Sequence, residues 1–272
     1  MKIYATLFAS VAALATAGHS TAFADKLEDV VKSGTLVCGV ITGAKPFGFQ
    51  DTATRELVGY DIDFCKGVAG KMGLQARVTP VSVEGRIPEL RQGSIDVLVA
   101  ALGYTKERAE QIDYSDAYYV SRQIVIVDEG SGIQKLDGLS GKKISTAKGS
   151  SSEQYLRQSV PGVELMSYQD IPSAFLAFVQ NKVDGMALTD VAALQFKEKS
   201  PKKFEIVPDP LKIEPWGLGI AKGETALTAK VNDSLKALET SGEADSIYKK
   251  WFGAAGITRT FTIAPVTKYL AH

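Results

Sequence analysis

The feature that most constrains this chain is a pattern that stops and starts again. A Ser-Gly turn leading into a β-branched run, Ser33-Gly-Thr-Leu-Val-Cys-Gly-Val40, has a counterpart in Ser140-Gly-Lys-Lys-Ile-Ser-Thr-Ala147. The helix-turn-strand stretch Leu90-Arg-Gln-Gly-Ser-Ile-Asp-Val-Leu98 is echoed by Phe178-Val-Gln-Asn-Lys-Val-Asp-Gly-Met186. In each half, strand-like runs alternate with helical periodicity, the signature of an α/β class with largely parallel sheets. The turn-rich Asp128-Glu-Gly-Ser-Gly132 separates the halves.

In the first half, strands are expected at Thr35 to Ile41, Gln75 to Thr79 and Ile95 to Leu102. Helices are expected at Asp61 to Gly73, Arg86 to Gln92 and Lys106 to Gln111, followed by an extended run from Tyr118 to Val127. The extended Trp216 to Lys222 and the helical periods Leu227 to Leu238 and Ala244 to Phe252 read as a return to the first lobe. Two crossings between two open sheets make a cleft and a hinge, and such sheets bind ligands at the carboxyl ends of their strands.

The N-terminus is expected to be an export leader. Lys2 is its only charge, Ile3 to Ala17 is apolar, and Ala22-Phe23-Ala24 has the small-x-small pattern of a cleavage site, which places cleavage before Asp25. The apolar run is short for a membrane span and carries Thr6, Ser10 and Thr16. Residues 1–24 are therefore assigned to the leader, 25–121 with 219–272 to lobe one, and 122–218 to lobe two. The mature chain would be exported to an oxidising compartment, and Cys38 and Cys65 are there either a disulfide or two buried thiols; spacing alone leaves both open.

Charge and histidine content limit the chemistry. The 31 basic and 31 acidic side chains give no basic field to hold a nucleic-acid backbone, so nucleic acid is excluded as a partner. The two histidines are His19, in the leader, and His272, the last residue. A Ser-His-Asp triad, a Cys-His pair and imidazole-based zinc sites are thereby excluded from the mature fold, and no cofactor or metal is expected.

Polar groups at the strand ends carry what chemistry remains. Arg108 lies one helical turn past the Ile95 to Leu102 strand, where its guanidinium can grip a carboxylate bidentately or simply pair with Glu107, Glu110 or Asp113. Ser150 with Glu153 forms a capping box at the start of a helix, and the same N-terminus, with Ser151, can bind an anion. Asp190 follows the strand ending at Leu188-Thr189, as a helix cap or as a carboxylate beside the anion site. A cationic and an anionic site close together describe the head of an α-amino acid.

The ordered set Gly34-Thr-Leu-Val-Cys-Gly-Val40, Pro46-Phe-Gly-Phe-Gln-Asp51, Val58-Gly-Tyr-Asp-Ile-Asp63, Arg86-Ile-Pro-Glu-Leu90, Thr105-Lys-Glu-Arg108, Asp113-Tyr-Ser-Asp116, Lys148-Gly-Ser-Ser-Ser152 and Thr189-Asp190 resembles the family 3 extracellular solute-binding proteins, periplasmic receptors of ABC importers. The resemblance implies a two-lobed periplasmic-binding-protein fold of type II, each lobe an open, mostly parallel sheet flanked by helices, joined by two crossing strands. It implies a monomer that binds a free L-amino acid and presents it to a membrane permease without catalysis. By that similarity Arg108 would bind the α-carboxylate with Ser150 and Ser151, and Asp190 the α-ammonium with the carbonyl of Ala101 and groups at Gly103. Gly103 departs from the family pattern, which often has Ser or Thr there, and Ala44 and Val83 stand where aromatic clamps are common. Phe47 or Phe49 could supply an apolar wall instead. Arg86 matches an Arg that contacts the acidic side chain in glutamate/aspartate-binding relatives, with Lys45 able to add charge, so an acidic ligand is favoured. The rival readings are an exported dehydratase-like enzyme on the same fold, with Asp190 or Glu153 as acid or base, and a ligand-binding module of a sensor.

Overall fold

The structure, a computed structural model, describes residues 26–270. The expected leader, residues 1–24, together with Asp25 and both histidines, lies outside the described residues.

A first helix, α1 (Lys26–Ser33), leads into β1 (Thr35–Ile41), whose Val, Ile and Cys side chains are buried. Three short strands, β2 (Gly43–Ala44), β3 (Gly48–Gln50) and β4 (Leu57–Val58), form a small antiparallel sheet. Helix α2 (Tyr60–Met72) buries Ile62, Phe64, Cys65, Val68 and Ala69, and Gly73 closes it in the left-handed conformation that favours glycine. Then come β5 (Gln75–Val81), α3 (Arg86–Arg91), β6 (Val97–Leu98), α4 (Lys106–Ala109) and the long β7 (Ile112–Asp128). The second half repeats the alternation with β8 (Lys143–Ala147), α5 (Ser151–Ser159), β9 (Glu164–Tyr168), α6 (Ile171–Val179), β10 (Gly185–Thr189), α7 (Asp190–Lys197) and β11 (Phe204–Ile206). Strand β12 (Lys212–Ala221) precedes α8 (Thr225–Thr240) and α9 (Glu243–Phe252).

The strands run β5-β1-β6-β12-β7-β10-β8-β9, with β11 on β7. β1 pairs in parallel with β5 and β6, and β8 in parallel with β9 and β10. Between these parallel groups β7 and β12 run antiparallel, from Ile112↔Ala221 to Gln123↔Lys212. β12 reaches β6 at Gly219 and Ile220, and β7 reaches β10 from Gln123 to Val127. These are the two crossing strands anticipated from the sequence. They also hydrogen-bond to each other and to both flanks, so two expected sheets are one continuous ladder.

Two further differences matter. The strand expected over Ile95 to Leu102 pairs only at Val97 and Leu98. Beyond them the chain leaves the ladder: the Ala101 N–H donates to Asp61 Oδ2 at 2.9 Å, and Ala101 adopts φ 46°, the left-handed region that disfavours a side chain. Cys38 on β1 and Cys65 on α2 form a disulfide, with Cα atoms 6.2 Å apart. The β1-to-α2 packing supplies the separation that spacing left open.

One core wraps α2, α8 and α9 around the first parallel group, and others fill the second half about Phe178 and Leu156. Among the described residues no helix is long and apolar enough to cross a membrane.

Candidate functional site

A cavity of about 440 Å³ lies where the loops after the parallel strands converge. Its apolar wall includes Phe47, Phe49, Ile171, Phe196 and Trp216, and Ala44 and Val83 also face it. Phe47 serves two structures at once: it is 2% exposed and packs on Tyr60, Tyr119, Trp216 and Phe252, with its ring 4.7 Å from that of Trp216. The charged side chains on the wall are Lys45, Arg86 and Lys199 against Asp51.

Arg86 opens α3 and is buried. Its Nε donates to Val83 O at 2.9 Å, Nη1 to Ala100 O at 2.8 Å and Ala101 O at 3.0 Å, and Nη2 to Gly149 O at 3.1 Å. Four of its five N–H donors are thus engaged with backbone, leaving one. Burial, with the neighbouring Arg108 guanidinium adding like charge, pulls its pKa down from 12.5 to about 9.

Ser150 caps α5 as the sequence predicts, its Oγ accepting from the Glu153 N–H at 3.1 Å. The return arm of the capping box goes to Gly149 N, 2.7 Å from Glu153 Oε2, rather than to the cap residue itself. The first turn of a helix carries N–H groups with no intrahelical acceptor, and here that turn, with Ser150, Ser151 and Ser152, faces the cavity. Gly149 sits at φ 74°, and a Cβ there would stand 2.9 Å from Glu84 Cα, so only glycine lets the two loops approach so closely. Lys148 and Glu84 pair beside it at 2.8 Å.

Of the residues singled out from sequence, Arg86, Ala101, Ser150, Ser151 and Phe47 meet on the cavity wall. Arg108, Gly103 and Asp190 are not among its lining residues. Arg108 is buried, donating from Nη1 to Gly103 O at 2.8 Å and from Nη2 to Gly149 O at 3.0 Å. The Gly149 carbonyl therefore receives both guanidinium groups. Asp190 is not the cap of α7; Thr189 is, its Oγ1 accepting from Ala192 N at 3.1 Å. The Asp190 carboxylate accepts from Val191 N at 2.8 Å and interacts with Tyr119, Tyr248 and Arg122, and burial raises its pKa.

Sequence reading missed Glu214. It lies on β12, 1% exposed, and its Oε1 accepts from Ser151 Oγ at 2.7 Å, Gln123 Nε2 at 2.8 Å and Trp216 Nε1 at 2.9 Å. A Cβ on Gly103 would fall 2.4 Å from the carboxylate carbon and both oxygens. The missing hydroxyl at Gly103 thus has a physical cause: the Glu214 carboxylate occupies its space. The signal in the sequence was a lone acid in the apolar strand Ile213-Glu-Pro-Trp-Gly-Leu218, which nothing local connects to Gly103.

Comparison with known proteins agrees with this architecture. Residues 36–254 match the model of the bacterial extracellular solute-binding proteins, family 3. The chain is 33% identical over 231 residues to the ABC transporter glutamine-binding protein GlnH of Bacillus subtilis, covering 84% of each. It is 29% identical over 253 residues to the L-cystine-binding protein TcyJ of Escherichia coli, covering 91% of this chain and 95% of that one. Among solved structures, an ancestral arginine-binding protein bound to arginine superposes with a TM-score of 0.76 at 35% identity, over 81% of this chain and 99% of that one. The ancestral amino acid-binding protein AncCDT-1, a precursor of cyclohexadienyl dehydratase, gives 0.77 at 29% identity, over 84% and 100%. With the family model spanning most of the chain and the crossed, mostly parallel sheet in place, this protein belongs to the family 3 bacterial extracellular solute-binding proteins.

Proposed function

We propose that the chain is the periplasmic amino-acid-binding component of an ABC importer, that its ligand occupies the cavity described above, and that an acidic amino acid, glutamate or aspartate, is preferred. The observation that carries the preference is the charge of the wall, where Lys45, Arg86 and Lys199 face a single acid, Asp51. Relatives named for glutamine, cystine and arginine support the amino-acid class, and a glutamate/aspartate import solute-binding protein of Escherichia coli is 26% identical over 239 residues. In this reading the ligand α-carboxylate lies at the first turn of α5, against Ser150 and Ser151, with Arg108 behind Gly149 adding positive potential. The side-chain carboxylate takes the remaining N–H of Arg86 and the ammonium of Lys45.

The mechanism is binding without chemistry. Lobes comprising 25–121 with 219–272 and 122–218 close about β7 and β12, and ligand contacts to both stabilise the closed form that a permease recognises. Arg86 on α3 and Gly149 before α5 come from the two sides, so the bond between them belongs to the closed form. A monomer suffices for this role. A thermal-shift screen against the twenty L-amino acids tests the reading, since a ligand that binds only the native state raises its apparent stability. The largest shifts are expected from glutamate and aspartate. Shifts confined to small neutral amino acids refute the acidic preference, and no shift with any of the twenty refutes the class.

A further inference from the structure

We infer that Asp61 is a positioning residue for ligand binding, holding the Ala101 turn in the shape that sets the Ala101 carbonyl and the Arg86 guanidinium on the cavity wall; the inference rests on the amino-acid reading above. A buried carboxylate is retained at a cost unless its oxygens are paired. Asp61 is fully buried in the first turn of α2, where Gly59 and not Asp61 is the cap, and both of its oxygens are used by other segments. Oδ1 accepts from Tyr118 Oη at 2.7 Å, and Oδ2 accepts from the Ala101 N–H at 2.9 Å. The Asp61 N–H in turn donates to Phe47 O at 2.9 Å. One residue therefore joins the turn between β2 and β3, the segment after β6, and β7. Two of its three partners, Phe47 and Ala101, line the cavity.

The turn it holds is one that alanine resists. Among the described residues, the non-glycine positions with positive φ are Arg55, Ala101 and Asn181, and of these Ala101 alone lines the cavity. At φ 46° the Cβ of an L-residue crowds the backbone carbonyl, so the turn needs a fastening, and the Asp61 carboxylate supplies one at the N–H. The consequence lies at the neighbouring carbonyls. Ala100 O and Ala101 O both accept from Arg86 Nη1, at 2.8 Å and 3.0 Å. Ala101 is the residue between those two carbonyls, so its dihedral angles fix their convergence on one nitrogen. Relaxation of Ala101 toward negative φ would part them and release Arg86 from the place where it meets the ligand. A strained residue at a binding wall, held by a buried side chain from a remote helix, is pre-organisation of the site.

Calorimetric titration measures each variant's affinity for the amino acid of largest thermal shift, L-glutamate on the reading above, at a temperature where circular dichroism shows the variant folded. Apparent affinity falls by the fraction of molecules holding the competent turn, so Asp61→Ala should bind about 10-fold more weakly. Asp61→Asn, which keeps an acceptor for the Ala101 N–H, should restore most of that loss. The readout that a merely structural role would not move is the response to glycine, which takes positive φ without penalty. Ala101→Gly added to Asp61→Ala should regain about 5-fold in affinity, a gain absent when it is added to wild type. Unchanged affinity in Asp61→Ala, or a loss that Ala101→Gly does not repair, overturns the inference while leaving amino-acid binding intact. A wild type that binds none of the twenty overturns the amino-acid reading and this inference together. Should Asp61→Ala fail to fold, Asp61→Ser, whose hydroxyl lies one bond short of the carboxylate oxygens, takes its place, and the same glycine rescue decides.

Discussion

The pairing of Gly103 with Glu214 yields a prediction whose size can be worked out from distances. Gly103→Ala adds one methyl group at a position whose φ lies outside the left-handed region, so the backbone itself raises no objection. The new Cβ would meet the Glu214 carboxylate at 2.4 Å, where ordinary contacts are 3.4–4 Å. An exposed Glu would swing aside at little cost, but this one is buried and fixed by three donors. Overpacking costs about 1–3 kcal/mol, and each hydrogen bond lost as the carboxylate shifts adds about 1 kcal/mol. A total near 3 kcal/mol lowers Tm by about 6–12 °C for a chain of this size. Urea and thermal unfolding of Gly103→Ala, Glu214→Ala and the double variant measure it. In the double variant the methyl enters vacated space, so its cost should largely vanish, with a coupling of about 2 kcal/mol. A Gly103→Ala protein within about 0.5 kcal/mol of wild type, or additive single effects, refutes the reasoning.

Three further outcomes are expected. Arg86→Ala leaves the cavity short of a cation and frees Val83, Ala100, Ala101 and Gly149 carbonyls, and should weaken acidic-ligand binding by about 2–5 kcal/mol in calorimetry; undiminished affinity removes Arg86 from the site. Replacing Cys38 and Cys65 by Ala opens a loop with a sequence separation of 27, and loop-closure entropy puts the loss near 3.5 kcal/mol in urea unfolding, with wild type in reductant behaving alike. Asp61 has its pKa raised by burial from 3.8 to about 7, against the opposing bonds from Tyr118 and Ala101, so the native state binds the proton more tightly than the unfolded chain. Its contribution is therefore full below about pH 4 and declines as pH rises to about 7, the reverse of a salt-bridged acid. Unfolding free energies from pH 4.5 to 7.5 should fall more steeply in wild type than in Asp61→Asn, and parallel profiles refute this.

Much of the framework was legible because it is local. The β-branched run of β1 and the one-sided apolar period of α2 follow from strand and helix geometry acting within a few residues. The Ser150 and Glu153 pair announced the start of α5, since a cap needs only its own turn. The two long crossing strands were visible as extended runs, though not that they would pair with each other and merge two sheets. The strand at Ile95 was overextended because its apolar character continues to Leu102 while Asp61, held on a distant helix, draws the backbone out of the ladder at Ala101.

By itself the sequence determined the alternating α/β class, the restart that makes two halves, the capped start of α5 and the absence of histidine from the described residues. These depend on residue type and short-range spacing. The tertiary structure alone decided that Cys38 meets Cys65, that Arg86 lines the cavity while Arg108 and Asp190 do not, and that Glu214 fills the space left by Gly103. Each of these is set by where remote segments pack, and a side chain's pattern along the chain carries no information about which distant backbone will leave room for it.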